Sequence, residues 1–193
     1  AVQHLGYEPQ ISRDASTIMA AKAVIFPGVG AAGDTVKSLS NLGLDKVIRQ
    51  LVSCKRPLLA ICVGLQVLFT SSEENNGLFC LDLIPGKVKR FTSDIRTPHM
   101  GWNQVTLQSS HPVFRMITSG THFYFAHNYY ACTQNRSVVK GVTDYGGYFP
   151  SVVIQGNVVA TQFHPEKSGE AGLSLISNFF SFALQCEGTN EES

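Results

Sequence analysis

The sequence has no excess of charge of either sign. Fifteen basic and fourteen acidic residues leave a formal net charge of +1, so no electrostatic footprint points to a nucleic acid or an anionic membrane. The nearest thing to a basic patch, Lys87-Val88-Lys89-Arg90, reads as the solvated face of a strand. No apolar run approaches the ~20 residues of a membrane span, and no signal-peptide pattern is visible. Five cysteines, an odd number and widely scattered, do not make a disulfide framework, which places the chain in a reducing compartment. The six histidines His4, His99, His111, His122, His127 and His164 stand at no metal-ligand spacing, so neither a metal nor a cofactor is expected. Tryptophan occurs once, at Trp102. What is plentiful is apolar: 44% of 193 residues, enough for one compact domain with its own core.

The stretch that organises the chain is Pro57-Leu58-Leu59-Ala60-Ile61-Cys62-Val63-Gly64-Leu65-Gln66-Val67-Leu68-Phe69. Its first half is a continuous apolar run without period, as in a strand buried on both faces. Small residues, Ala60 and Gly64, then flank Cys62 symmetrically, and apolar residues resume at helical spacing. A strand, a sharp turn and a helix are expected, with Cys62 at the corner. Such an elbow presents one side chain alone to a cleft, as a nucleophile requires. The helix start lowers a thiol pKa and offers the Val63 N–H to an oxyanion. Gln66, one turn on, shares a face with Cys62 and can hold a substrate amide beside the sulfur. A cysteine in an apolar run is otherwise a small buried hydrophobe, which is the reading for Cys54, Cys80, Cys132 and Cys186.

A second constellation supplies the base. Asn157 to Phe163 reads as a strand, and His164-Pro165-Glu166 follows it. Pro165 keeps His164 out of the helical region, and in an extended chain His164 and Glu166 point to one side. A carboxylate there can hold the imidazole in one tautomer while its other nitrogen takes a thiol proton. Upstream, Ala23-Val24-Ile25-Phe26 is a short buried strand feeding the glycine loop Pro27-Gly28-Val29-Gly30. Between Asp34 and Cys54 runs a helical stripe interrupted at Gly43, and Ser71 to Gly77 is polar and turn-rich, as in a surface loop. His122 to Tyr130 is an aromatic strand alternating two faces, and Gly172 to Leu184 is a helix whose apolar residues nearly encircle it. The alternation of apolar strands and helical stripes predicts an α/β fold, a mostly parallel central sheet flanked by helices, with an antiparallel portion from the short strands between Leu78 and Tyr130.

The elbow, the His-Pro-Glu and the Pro27–Gly30 loop resemble the class I (triad) glutamine amidotransferases. More closely, Pro27-Gly28-Val29-Gly30-Ala31, Pro98-His99-Met100-Gly101-Trp102-Asn103 and His164-Pro165-Glu166-Lys167-Ser168-Gly169 resemble the glutaminase part of imidazole glycerol phosphate synthases. Ile61 to Gln66 and Lys167 to Leu173 look most like the eukaryotic versions, in which glutaminase and cyclase are fused. The resemblance implies a Cys62, His164, Glu166 triad and an oxyanion hole completed by Gly28, Val29 and Gly30. It implies a glutamine site along Tyr124, His127 and Asn128, although Asn128 stands where the family has Ser or Thr and Ala60 where it has Gly. Trp102 and Lys167 match positions that face the cyclase, a (β/α)8 barrel, in a soluble protein of cytoplasm or plastid. Residues 1–184 correspond to the amidotransferase domain without its start, since a strand and loop come first in the family, and 185–193 to a disordered tail or the start of a linker. Two other readings stay open: a glutaminase serving guanylate, anthranilate or pyridoxal phosphate synthesis, and a non-catalytic regulatory module with the same fold.

Overall fold

The computed structural model describes residues 1–92 and 94–188, the last three by their backbone alone. A 3-10 turn at Gln3–Leu5 is closed by Gly6 in the left-handed region. Helix α1 (Ala15–Ala20) begins at Asp14, whose carboxylate accepts from Thr17 N. Strand β1 (Val24–Phe26) leads through the glycine loop into α2 (Ala32–Asn41) and α3 (Leu44–Ser53), separated at Gly43, φ 68°. Strand β2 (Leu58–Ile61) is buried at every residue. The helix after the elbow, α4 (Val63–Val67), is shorter than its apolar run suggests. Phe69–Ser72 is already strand β3, so Ser71 and Ser72 belong to a sheet rather than to a surface loop. Pairing with β4 (Leu78–Phe79) and β5 (Ile84–Arg90) outweighs helix continuation there.

The main sheet has the order β1-β2-β11-β10-β9-β6-β7, with β6 His99–Leu107, β7 Thr121–His127, β9 Val139–Asp144, β10 Tyr148–Gln155 and β11 Val158–Thr161. Strands β1, β2 and β11 are parallel, and the remaining pairings are antiparallel. The expectation of a mostly parallel sheet therefore holds only where the elbow and the His-Pro-Glu emerge. Two of the antiparallel pairings, β9 with β10 and β10 with β11, are closed by short turns, which cannot make a parallel crossover. A second sheet, β4-β3-β5-β8, ends on β8 (Tyr129–Cys132).

Helix α5 runs Gly169–Gly188, starting three residues earlier and ending four later than Gly172–Leu184. The tail expected from 185 on thus falls partly on this helix, and 189–193 lie outside the described residues. The core joins fully buried Phe69, Phe123, Phe125, Phe149, Phe163 and Phe179 with Leu58, Leu59 and Leu65. Truncating any one of these leucines to alanine costs about 2–5 kcal/mol. An apolar cavity of about 750 Å³ lies beside edge strand β1, lined by Leu39, Leu44, Ile48 and Phe180 among others, and contains none of the expected site residues. Among the described residues no helix is long and apolar enough to cross a membrane.

Candidate active site

Cys62 sits between β2 and α4 at φ 53°, ψ −106°, a conformation that L-residues rarely adopt. Its surroundings over-determine it. Cys62 N donates to Thr161 O of β11 at 2.7 Å, and Gln66 N donates back to Cys62 O at 3.2 Å. The glycine loop presses on the corner: a Cβ on Gly28 would come within 2.1 Å of Gly64 N, and one on Gly64 within 2.7 Å of Phe26 O. Only hydrogen fits on either side, so Gly28 and Gly64 set the distance between loop and elbow. Val63 opens α4, where the first backbone N–H groups have no acceptor within the helix. The thiol is buried, 4% exposed, with Sγ 3.9 Å from Ala126 O and 3.7 Å from Gln162 Nε2.

At the end of the neighbouring parallel strand, His164 is extended, φ −97°, and Pro165–Lys167 forms a 3-10 turn. His164 and Glu166 therefore meet across a turn, not along an extended strand, with Nδ1 to Oε1 at 2.8 Å. His164 N donates to Tyr124 O at 2.8 Å. Ser168 locks the same corner, its hydroxyl donating to His164 O at 2.6 Å and accepting from Tyr124 N at 3.0 Å. A hydrogen bond with the Cys62 side chain, then one with Glu166, push the His164 pKa up to about 9 against the opposing effect of burial. Burial alone would raise the Glu166 carboxyl, but its bonds and the nearby His164 and Lys167 charges hold it below the usual range. With Nδ1 committed to Glu166, Nε2 is left for the sulfur. A cavity of about 270 Å³ opens on this edge of the site, lined by Pro27, Gly28, Val29, Ile61, His164 and Glu166 among others.

A strained cysteine at a strand-to-helix corner, facing an imidazole held by a carboxylate, is built for covalent attack on an acyl group. The sequence profile described as glutamine amidotransferase class-I matches residues 1–182. The chain belongs to the class I glutamine amidotransferase family. It is 52% identical over 184 residues to a protein of Dehalococcoides mccartyi (strain CBDB1) named imidazole glycerol phosphate synthase subunit HisH, covering 95% of this chain and 90% of the relative. A protein of the same name from Moorella thermoacetica is 46% identical, covering 93% of this chain and 85% of that one. Both relatives are bacterial and named as subunits, whereas the motifs had looked most like the eukaryotic fused forms. A solved structure entitled glutamine amidotransferase superposes with a TM-score of 0.73 at 22% identity, covering 94% of this chain and 89% of that one, a likeness of fold.

In this amidotransferase the residues expected to bind glutamine fall into two groups. Val29 is exposed and Gly30, φ 89°, turns the loop beside the elbow. Tyr124 is half-buried on β7, the strand that passes Cys62, and Asn128 is exposed at the bend between β7 and β8. The other two differ from expectation. The His127 ring is turned into the core, 5% exposed, because alternation along β7 puts it on the face of Phe123 and Phe125. It bonds His99 and Tyr129 O, so its backbone alone can serve the ligand. Gln66 is buried too, its Nε2 donating to Tyr129 O at 2.8 Å and reaching Gln162 Oε1 at 3.3 Å. Trp102 is 56% exposed, its indole edge-on to Tyr124 at 6.2 Å, and Lys167 is exposed beside the triad. Sequence reasoning passed over Gln162, Ser168 and the Ala126 carbonyl. The first two carry a usable signal, since both are polar residues flanking the His164-Pro165-Glu166 already singled out; in the structure both are buried.

Proposed function

We propose that this chain is the glutaminase of an imidazole glycerol phosphate synthase, hydrolysing glutamine to glutamate and ammonia for a cyclase in histidine biosynthesis. The observation that carries this is the 46–52% identity to HisH subunits over most of their length, with the thiol, imidazole and carboxylate all present and within reach of one another. The Cys62 proton passes to His164 Nε2, and the thiolate attacks the side-chain carboxamide carbon of glutamine. Val63 N–H and the N–H groups of Val29 and Gly30 receive the oxyanion. His164 returns its proton to the departing amine, the C–N bond breaks, and ammonia leaves a thioester on Cys62. Water, deprotonated by His164 with Glu166 holding the ring, then cleaves the thioester to glutamate and free thiol. The variant Cys62→Ala should lose glutamine-dependent synthesis by about four orders of magnitude or more while synthesis from added ammonia continues. Retention of glutamine hydrolysis by that variant would rule the mechanism out, and stimulation by the acceptor of another synthase would rule out the pathway.

The proposed partner is a (β/α)8-barrel cyclase, as a separate subunit or a fused domain, docking on the face that carries Trp102 and Lys167. Trp102 leans on Tyr124, whose carbonyl accepts from His164 N, so that face adjoins the triad. We take residues 1–184 as the glutamine amidotransferase domain and a reducing compartment as its location; the bacterial relatives lend nothing to a plastid. Truncating a central aromatic anchor costs about 2 kcal/mol or more. Trp102→Ala should therefore weaken cyclase affinity by roughly thirtyfold, and Lys167→Ala should loosen the dependence of hydrolysis on cyclase substrate. Titration of each variant with cyclase measures both, and unchanged binding and coupling in both variants would move the docking face elsewhere.

A further inference from the structure

A single-file chain of hydrogen bonds ends on the nucleophile. Asn103 Nδ2 donates to Asp144 O at 3.0 Å, and its Oδ1 accepts from Gln104 N at 2.7 Å, which fixes the amide's orientation. Asn103 Nδ2 also lies 3.2 Å from His99 Nε2, His99 Nδ1 lies 2.9 Å from His127 Nε2, and His127 Nδ1 lies 2.7 Å from Tyr129 O. A carbonyl only accepts, so His127 carries its proton on Nδ1 and its Nε2 must accept. His99 Nδ1 then donates, and His99 Nε2 accepts from Asn103. One proton arrangement satisfies every member, with both rings neutral. The same Tyr129 carbonyl accepts from Gln66 Nε2, whose other proton faces Gln162 Oε1. That leaves Gln162 Nε2 aimed at Cys62 Sγ, 3.7 Å away, in a side chain with no exposed surface.

We propose that Gln162 is a further catalytic residue, its amide N–H holding the Cys62 thiolate, and that Gln66, His127 and His99 are positioning residues that prevent this amide from turning over. The Sγ neighbour on the other side is Ala126 O at 3.9 Å. It accepts from the thiol and becomes repulsive once the S–H proton has moved to His164, whereas the Gln162 N–H gains strength as the sulfur becomes negative. A flipped Gln162 would set two oxygens against the thiolate. Of the groups around the sulfur, β2, α4 and the loop Pro27–Gly30 carry nothing that titrates. β7 contributes half-buried Tyr124 and neutral His127, and the end of β11 contributes His164 with Glu166 behind it. This proposal rests on Cys62 being the glutaminase nucleophile.

The test uses the full chain with its cyclase. Iodoacetamide alkylation of Cys62, read peptide by peptide by mass spectrometry, is followed against pH in Gln162→Met and in the wild type. A hydrogen bond to a charged group corresponds to about one pH unit or more, so the midpoint for Gln162→Met should rise by about one unit and kcat for glutamine fall about tenfold, with KM nearly unchanged. His99→Phe, which keeps the ring stacking, should shift the midpoint in the same direction by less, and His99→Asn, which restores a donor at the Nδ1 position, should recover most of it. A wild-type midpoint in a folded Gln162→Met overturns the proposal. So does a two-bond proton–nitrogen spectrum of the wild type that shows the Nε2–H tautomer, or an imidazolium, at His99 or His127 near neutral pH. Failure of the glutaminase reading is distinct, since it would appear as a wild-type complex that does not hydrolyse glutamine.

Discussion

Two buried imidazoles close to one another, at the ends of β11 and β7, have been pushed in opposite directions. His164 is raised to about 9 by its bonds to Cys62 and Glu166. His127 is lowered to about 3 by burial, against the opposing effect of its bond to the Tyr129 carbonyl, with the nearby His99 and His164 adding to the lowering. Burial is common to both, so burial does not decide the sign. The difference lies in the partners: His164 faces groups that carry negative charge, and His127 faces a neutral ring and a carbonyl. The parallel part of the sheet thus holds the imidazole that exchanges protons, and the antiparallel part holds the imidazole that must not.

The largest expected effect removes one of the two partners that raise His164, the Glu166 carboxylate. Glu166→Gln keeps the size and a hydrogen-bonding oxygen but not the carboxylate. The His164 pKa should fall from about 9 toward its ordinary value, and kcat should drop by about two to four orders of magnitude. The His127 tautomer and thermal stability should change little. Histidine NMR across pH, with steady-state kinetics in the cyclase complex, measures both halves; equal shifts in the two histidines would mean that something other than Glu166 distinguishes them.

A smaller effect comes from moving the sulfur instead. Gly28 meets Gly64 with no room for a methyl group, so Gly28→Ala must push the loop off the elbow, at about 1–3 kcal/mol as for other overpacked sites. His164 depends on the position of Sγ and His127 does not. The variant should therefore melt lower, lose activity and lower the His164 pKa while leaving the His127 tautomer as it was. A variant with native melting temperature and native kcat would show that the contact has no such role.

How legible all this was differs between the same two regions. Cys62, His164 and Glu166 stood out because each breaks a local pattern: a small-residue gap in an apolar run, and a polar trio at a strand end. The parallel strands around them were legible for the same reason. The His99–His127 pair was not, since it is made by cross-strand register, His99 opposite His127 in β6 and β7, and register over 28 residues leaves no local trace. His127 was assigned to the ligand by its motif, while the alternation of β7 turned its ring into the core. Short α4 was misjudged because an apolar run of helical spacing serves equally well as the start of β3. Gly172 looked like a helix start, yet its missing Cβ is what lets α5 approach the Pro165 carbonyl, which a methyl would meet at 1.8 Å.

The smallest expected effect separates the two regions by proton linkage. His99, lowered to about 4 by burial, and His127, lowered to about 3, both lie below the ordinary value of 6.5. Unfolding therefore takes up protons at acid pH, and their contribution to stability falls progressively as pH drops below about 6.5 toward those folded values. His164 has the opposite sign: its raised pKa contributes stability that is complete below 6.5 and is lost as pH rises through about 9. The two flanks of a melting-temperature profile thus belong to different regions of the molecule. His99→Phe can still stack on Tyr145 and Phe125, whose rings lie 4.0 and 4.6 Å from the imidazole centroid, but it removes one proton-binding site and one repulsive neighbour of His127. At neutral pH it should cost about 1–3 kcal/mol for the His127 nitrogen left without a donor. Between about pH 4 and 6.5, the window set by the lowered His99 pKa, it should fall less steeply than the wild type, while the alkaline flank should be unchanged. Melting of the cyclase complex and of the chain at matched ionic strength gives both flanks. An acid flank as steep as the wild type's would mean that the buried pair is not what acid attacks, and a flattened alkaline flank would mean that the two imidazoles are not separate after all.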